Sequence, residues 1–153
     1  MSWRRARVVG ALLGLLAAWP ATAGAQCSIS TQGGVSFGTY DVFDAAPLDS
    51  TGSIAYRCGN KDKDIRITLG RGASPTYRPR TLVNGSERLA YNLFMDAAAT
   101  SIWGDDTEGT SSYFIHNPRN NVWLTLTIYA RVPPGQDVAA GSYSDTITVD
   151  INF

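Results

Sequence analysis

GSYSDTITVDINF (residues 141–153) decides how the rest of the sequence is read. From Thr146 to Phe153 polar and apolar residues alternate without a break. Ile147, Val149, Ile151 and Phe153 fall on one side, and Thr146, Thr148, Asp150 and Asn152 on the other. A period of two is the signature of a strand with one buried face. A closing strand normally lies between partners already laid down, so the question is which strand sits on its far side.

Working outward, the other end of the sequence reads as an export signal. MSWRRARVV carries Arg4, Arg5 and Arg7, ALLGLLAAW is apolar, and PATAGAQ supplies small residues. This is the three-part pattern of a secretory signal peptide, and its apolar run is too short to span a bilayer. Residues 1–25 are therefore assigned to the signal and 26–153 to one domain, with a cut before Gly24 as the alternative. Gln26 ahead of Cys27 argues against a lipoprotein signal. With three arginines removed, the 13 basic residues fall to 10 against 13 acidic ones. A mildly acidic chain without a basic patch argues against nucleic acid as a partner.

Both cysteines, Cys27 and Cys58, lie after the cut. In an oxidising compartment such a pair in a small domain reads as a disulfide. The competing readings, free thiols or a redox pair, need a CxxC spacing or a third ligand, and the sequence has neither.

Between the ends, turn residues recur: Gly33-Gly34, Gly52, Gly70, Gly72, Asn84-Gly85, Gly104, Gly109, Pro133-Pro134-Gly135 and Gly141. Short alternating runs lie between them, as in an all-β protein. Ile54, Tyr56 and Cys58 make one, Ile65, Ile67 and Leu69 a second, and Leu124, Leu126 and Ile128 another. Ser28–Ser30 and Val35–Phe37 supply a weaker early pair. In ERLAYNLFMDAAA good helix formers conflict with alternation; the reading is a strand over Tyr91–Met95 and a turn over Asp96–Thr100. About six strands at these spacings give a two-sheet antiparallel sandwich of immunoglobulin type, one sheet position short after Phe153.

These residues resemble the spore coat protein U domain family, which also supplies subunits of archaic chaperone–usher pili. The matching stretches are Cys27, VSFGTYDVF (35–43), GSIAYRCG (52–59), RLAYNLFMDAAATSIWGD (88–105) and VPPGQDVAAGSYSDTITVDINF (132–153). The resemblance implies an incomplete immunoglobulin-like antiparallel β-sandwich lacking its last strand. It implies donor-strand complementation: a periplasmic chaperone lends a strand, and at an outer-membrane usher a neighbouring pilin subunit replaces it. On this reading Ile147, Val149, Ile151 and Phe153 line the acceptor groove, and the Phe153 carboxylate anchors the chaperone. The implied destination is a cell-surface pilus or the extracellular space. A cut near residue 25 leaves one to three residues before Cys27, about 10 Å of strand at most. The expectation is a subunit that accepts a strand and donates none, at a tip or cap. A spore-coat or other surface protein assembled without a fibre is also compatible, and a self-sufficient surface- or carbohydrate-binding module is the rival.

Other features read more blandly. WGDDTEG (103–109) gathers Asp105, Asp106 and Glu108 without the spacing of a calcium loop, and a solvated turn is the favoured reading. His116 is the single histidine, and Asp145 and Glu87 make an acid pair only by assertion. No catalytic constellation, metal site or cofactor is expected, and a hydrolase would need an acid the sequence does not favour. Trp103, Tyr113, Phe114 and Trp123 are either core or an adhesive patch; Trp123, off the face of Leu124, and Phe114 are the candidate surface contacts. RGASPTYRPR (71–80) reads as a basic surface loop, and Asn84-Gly85-Ser86 as a plain turn that also fits a glycosylation triplet.

Overall fold

The computed structural model describes residues 27–59 and 62–153, so the signal assignment lies outside the described residues. All eight regular elements are strands: β1 (Cys27–Thr31), β2 (Leu48–Cys58), β3 (Ile65–Leu69), β4 (Arg80–Asn84), β5 (Glu87–Phe94), β6 (Tyr113–Ile115), β7 (Leu124–Val132) and β8 (Val149–Asn152). They form a five-stranded sheet ordered β1-β2-β7-β5-β4 and a three-stranded sheet ordered β6-β3-β8. Every ladder is antiparallel.

The core lies between the sheets because alternation sends Ile54, Tyr56 and Cys58 of β2, Tyr91 and Leu93 of β5, and Ile128, Ala130 and Val132 of β7 to one side. There they meet Ile65, Ile67 and Leu69 of β3. Cys27 and Cys58 stand opposite each other in the β1–β2 ladder and are joined as a disulfide. It closes a loop of 31 residues' separation, for which chain entropy gives about 3–4 kcal/mol.

The strand read over Tyr91–Met95 is present as Glu87–Phe94, ending one residue earlier and starting further back, with its turn after it. Two strands went unread. β4 pairs with β5 through the Asn84-Gly85 turn, where Gly85 takes a φ of 58° that a Cβ would oppose. β6 is only three residues long, too short for a periodic signal. Val35–Phe37 joins no ladder; β1 pairs with β2 instead. The alternation from Thr146 is real in burial, yet the ladder begins only at Val149, because the chain upstream is crossing between the sheets. It bridges β4 at Ser144–Val83 before joining β3.

The surface-loop reading of 71–80 fits most of the stretch but not three of its residues. Ser74, Tyr77 and Arg80 are buried, and Arg80 is 0% exposed. Its guanidinium donates to the carbonyls of Gly70 (2.8 and 2.9 Å) and Trp103 (2.7 Å) and to Asn92 Oδ1 (2.9 Å). A buried cation survives only when its donors are satisfied, and this one ties β4 to the end of β3. Burial pulls its pKa below the ordinary arginine value. Trp103 is likewise core, 0% exposed, donating from Nε1 to Ile67 O at 3.0 Å and packed edge-on against Tyr113.

Candidate functional site

β8 is an edge strand, paired with β3 alone among the described residues. Its Val149 and Ile151, with Ile147 just before it, pack against the core, half-buried, while Phe153 after it is 57% exposed. The four nominated residues thus occupy the free edge strand and its approach.

The opening itself lies upstream. A groove of about 860 Å³ runs between residues 35–42 and 138–145. Its floor is Leu48 of β2, Val132 of β7, Leu89 of β5 and Leu82 of β4, all on the five-stranded sheet. The first wall follows β2: Ser50 Oγ donates to Ser36 O, and Gly52 lies against Val35, whose Cγ2 a Cβ would meet at 2.9 Å. The second wall follows β4, at the opposite side of the sheet, held by the Ser144–Val83 bridge. Among the described residues, none from the three-stranded sheet lines the groove. Neither wall belongs to a named strand, and each meets the sheet on its own side, through Ser36 and through Ser144.

The walls are fastened by polar contacts the sequence did not advertise. Tyr40 Oη donates to Pro133 O and accepts from the Gln136 amide at 2.9 Å, while Gln136 exchanges two bonds with the Ala90 backbone. Asp145 pins the second wall. Its Oδ2 accepts from the buried Tyr91 hydroxyl at 2.7 Å, and its Oδ1 from the amides of Ala73 and Thr146, both at 2.8 Å. Burial first, and then the Asp145 carboxylate, push the Tyr91 phenol well above the usual tyrosine range, so it stays a donor. Gly72 makes the approach possible: its φ is +66°, and a Cβ there would stand 2.1 Å from Asp145 Oδ2. Asp145 is bound to Tyr91 and to backbone, not to Glu87.

The remaining nominations are scattered. Phe114 is 57% exposed beside Arg66 of β3, and Trp123 is 47% exposed beside Arg57 of β2. The two therefore stand on different sheets, each under its own arginine. The acidic loop spends its carboxylates internally: Asp105 on Thr107, Asp106 on Ser112 and Arg66, Glu108 on the Tyr77 amide and Arg71. His116 pairs at the surface with Asp64. Among the described residues the one cluster of ligand-type groups is Cys27, Cys58 and Asp62, and its cysteines are joined to each other.

Val35 and Phe37 were visible as an alternating pair, and Leu82 and Leu89 flank an Asn-Gly hairpin turn symmetrically. Val138 and Tyr143, in an alanine- and glycine-rich stretch, carry no periodic signal.

An antiparallel immunoglobulin-like sandwich with a groove between two unladdered segments over part of its core is an incomplete sandwich, and that is the class the fold and groove define. Within it, the chain belongs to the Spore Coat Protein U domain family, whose match covers residues 13–150. It is 33% identical over 150 residues to Protein U of Myxococcus xanthus, covering 87% of this chain and 80% of that protein. Its fold is similar to a chain in the crystal structure of the CsuC–CsuE chaperone–tip adhesion subunit pre-assembly complex from archaic chaperone–usher Csu pili of Acinetobacter baumannii. There the TM-score is 0.55 at 22% identity, over 84% of this chain and 40% of that one. The chain thus spans less than half of that structural relative.

Proposed function

We propose that the protein is a non-enzymatic structural subunit of a surface pilus or coat, assembled by donor-strand complementation. The observation that carries this reading is the groove: an apolar floor of core residues between two walls of unladdered backbone. An extended segment laid into it is matched in two ways. Its amides and carbonyls meet the unladdered backbone of the walls, as in other strand additions. Its alternate side chains, about 6.6 Å apart, drop onto the floor.

Magnitude decides how the exchange works. Burying three aliphatic side chains contributes about 5–9 kcal/mol, and association costs about as much in lost freedom. Capture therefore depends on the incoming strand filling the groove fully, and a better-packed donor displaces a poorer one. The partners on this reading are a periplasmic chaperone, an outer-membrane usher and a neighbouring subunit that supplies the strand. The route is export through the periplasm to the cell surface.

The finer position, a tip or cap, rests on the cleavage pattern in the sequence, which leaves too few residues before Cys27 to act as donor. N-terminal sequencing of the exported protein tests it: a start well upstream of Gly24 removes the tip assignment. The assembly reading is tested by periplasmic expression alone and beside a candidate chaperone, followed by size-exclusion chromatography. Soluble protein only as a one-to-one complex supports it. A well-behaved monomer without the chaperone overturns it in favour of a self-sufficient binding module.

A further inference from the structure

A second concavity lies on the opposite, solvent-facing side of the five-stranded sheet, away from the groove. It holds about 460 Å³, within the range of roughly 300–1,000 Å³ usual for small-ligand sites. Tyr129 and Phe94 supply its aromatic surfaces, Asp49 and Arg131 its charged edge, and Ala97 and Ala99 a low wall. Alternation explains the placement. On β7 Ile128, Ala130 and Val132 point into the core, so Tyr129 and Arg131 point out beside Asp49 and Thr51 of β2.

The cup is preformed. The turn carrying both alanines is shaped by Asp96, whose carboxylate accepts from the amides of Thr100 and Ser101 and from the Thr100 hydroxyl at 2.8–3.2 Å. Ala99 takes a left-handed φ of 58° to complete it. Asp49 and Arg131 form a bidentate pair, Nε to Oδ1 at 2.6 Å and Nη2 to Oδ2 at 2.7 Å. This fixes both groups in one plane while leaving the pair neutral overall.

We infer that this cup is a binding site for a neutral saccharide ring. The pair offers a carboxylate that accepts and a guanidinium that still donates from Nη1, the complement of neighbouring hydroxyls that each do both. The aromatic surfaces suit the apolar C–H faces of a pyranose. Zero net charge at the edge selects neither an anion nor a cation. The alanine wall leaves the aromatic surfaces uncovered, and the ordered turn lowers the cost of arranging the site.

The site is independent of the groove, so it is tested on the full exported chain in whatever complex it is purified. Saturation-transfer NMR is run with methyl α-D-mannoside, methyl β-D-galactoside and N-acetyl-D-glucosamine on wild type, Tyr129→Ser, Arg131→Met and the control Arg119→Met, an exposed arginine away from the cup. Tyr129 and Arg131 face solvent, and circular dichroism confirms that each variant folds. The expected result is transfer to at least one sugar, weakened about tenfold by either cup substitution and unchanged by the control. Absence of transfer to every sugar, or transfer that survives both cup substitutions, overturns the inference.

Discussion

The contact between Tyr91 and Asp145 is the most exposed point of the account, because it joins the core to the second wall of the groove. Tyr91→Phe removes one oxygen from a side chain only 3% exposed and keeps its edge-on packing against Phe37. What is lost is a 2.7 Å hydrogen bond to a carboxylate. Bonds to charged groups contribute about 1.5–3 kcal/mol, so the single change should cost about 2 kcal/mol. Asp145→Ala removes the same bond together with those from Ala73 and Thr146, and it strands the Tyr91 hydroxyl in the core. Its cost should be about 3–4 kcal/mol, counting a buried donor without a partner. The double variant should fall short of the sum by about 2 kcal/mol, because the shared bond is lost only once. Urea unfolding of the purified protein, followed by tryptophan fluorescence, reads all corners of the cycle. Additivity within about 0.5 kcal/mol would refute the reasoning: the wall would then be held by something other than this pair.

Arg80→Met should destabilise by about 3 kcal/mol, since it leaves the carbonyls of Gly70 and Trp103 without donors; a loss below about 1 kcal/mol in the same assay would mean the cation is dispensable. Cys58→Ser should lower stability by about 3–4 kcal/mol and cut the yield of chaperone-bound subunit, because β1 is no longer fastened to β2. An undiminished yield would remove the disulfide's role in capture. Acid should also weaken the fold. The Asp96 carboxyl is held below its ordinary 3.8, chiefly by the Ser101 amide, and Asp105 is lowered by the Thr107 hydroxyl. A depressed folded-state pKa gives stability that is present above the unfolded value and is lost as pH falls through the folded one. The thermal midpoint should therefore hold down to about pH 4 and drop below it, and NMR titration of Asp96 should end below 3.8.

Alternation made the sandwich legible because it reports burial directly. β2, β3, β5 and β7 each carry enough inward residues to repeat the pattern. Where that signal failed, another force had displaced it. Arg80 hides a strand start in the core because neutral carbonyls satisfy its guanidinium, and composition alone reads such a stretch as basic surface. Val35 and Phe37 alternate with exposed Ser36 and Gly38 without pairing, since this segment lines an opening rather than a ladder. β8 pairs on one side only, while the groove's floor comes from inward residues of β2, β4, β5 and β7. Those residues look like ordinary core, and only the topology shows that they line an opening. Asp145 is the clearest case: its role depends on Gly72 and Tyr91, distant in sequence, which no local spacing reveals.

The central claim is that another chain's strand lies between residues 35–42 and 138–145. It is tested most directly by placing the photoreactive residue benzoylphenylalanine at Ala140, which is exposed and lines the groove. Thr125, exposed on the opposite face of the five-stranded sheet, serves as the control position. Irradiation in the periplasm, followed by mass spectrometry of the adducts, should yield cross-links from Ala140 to an alternating segment of a chaperone or neighbouring subunit, and none from Thr125. Absence of an adduct at Ala140, or equal labelling at both positions, would contradict the account.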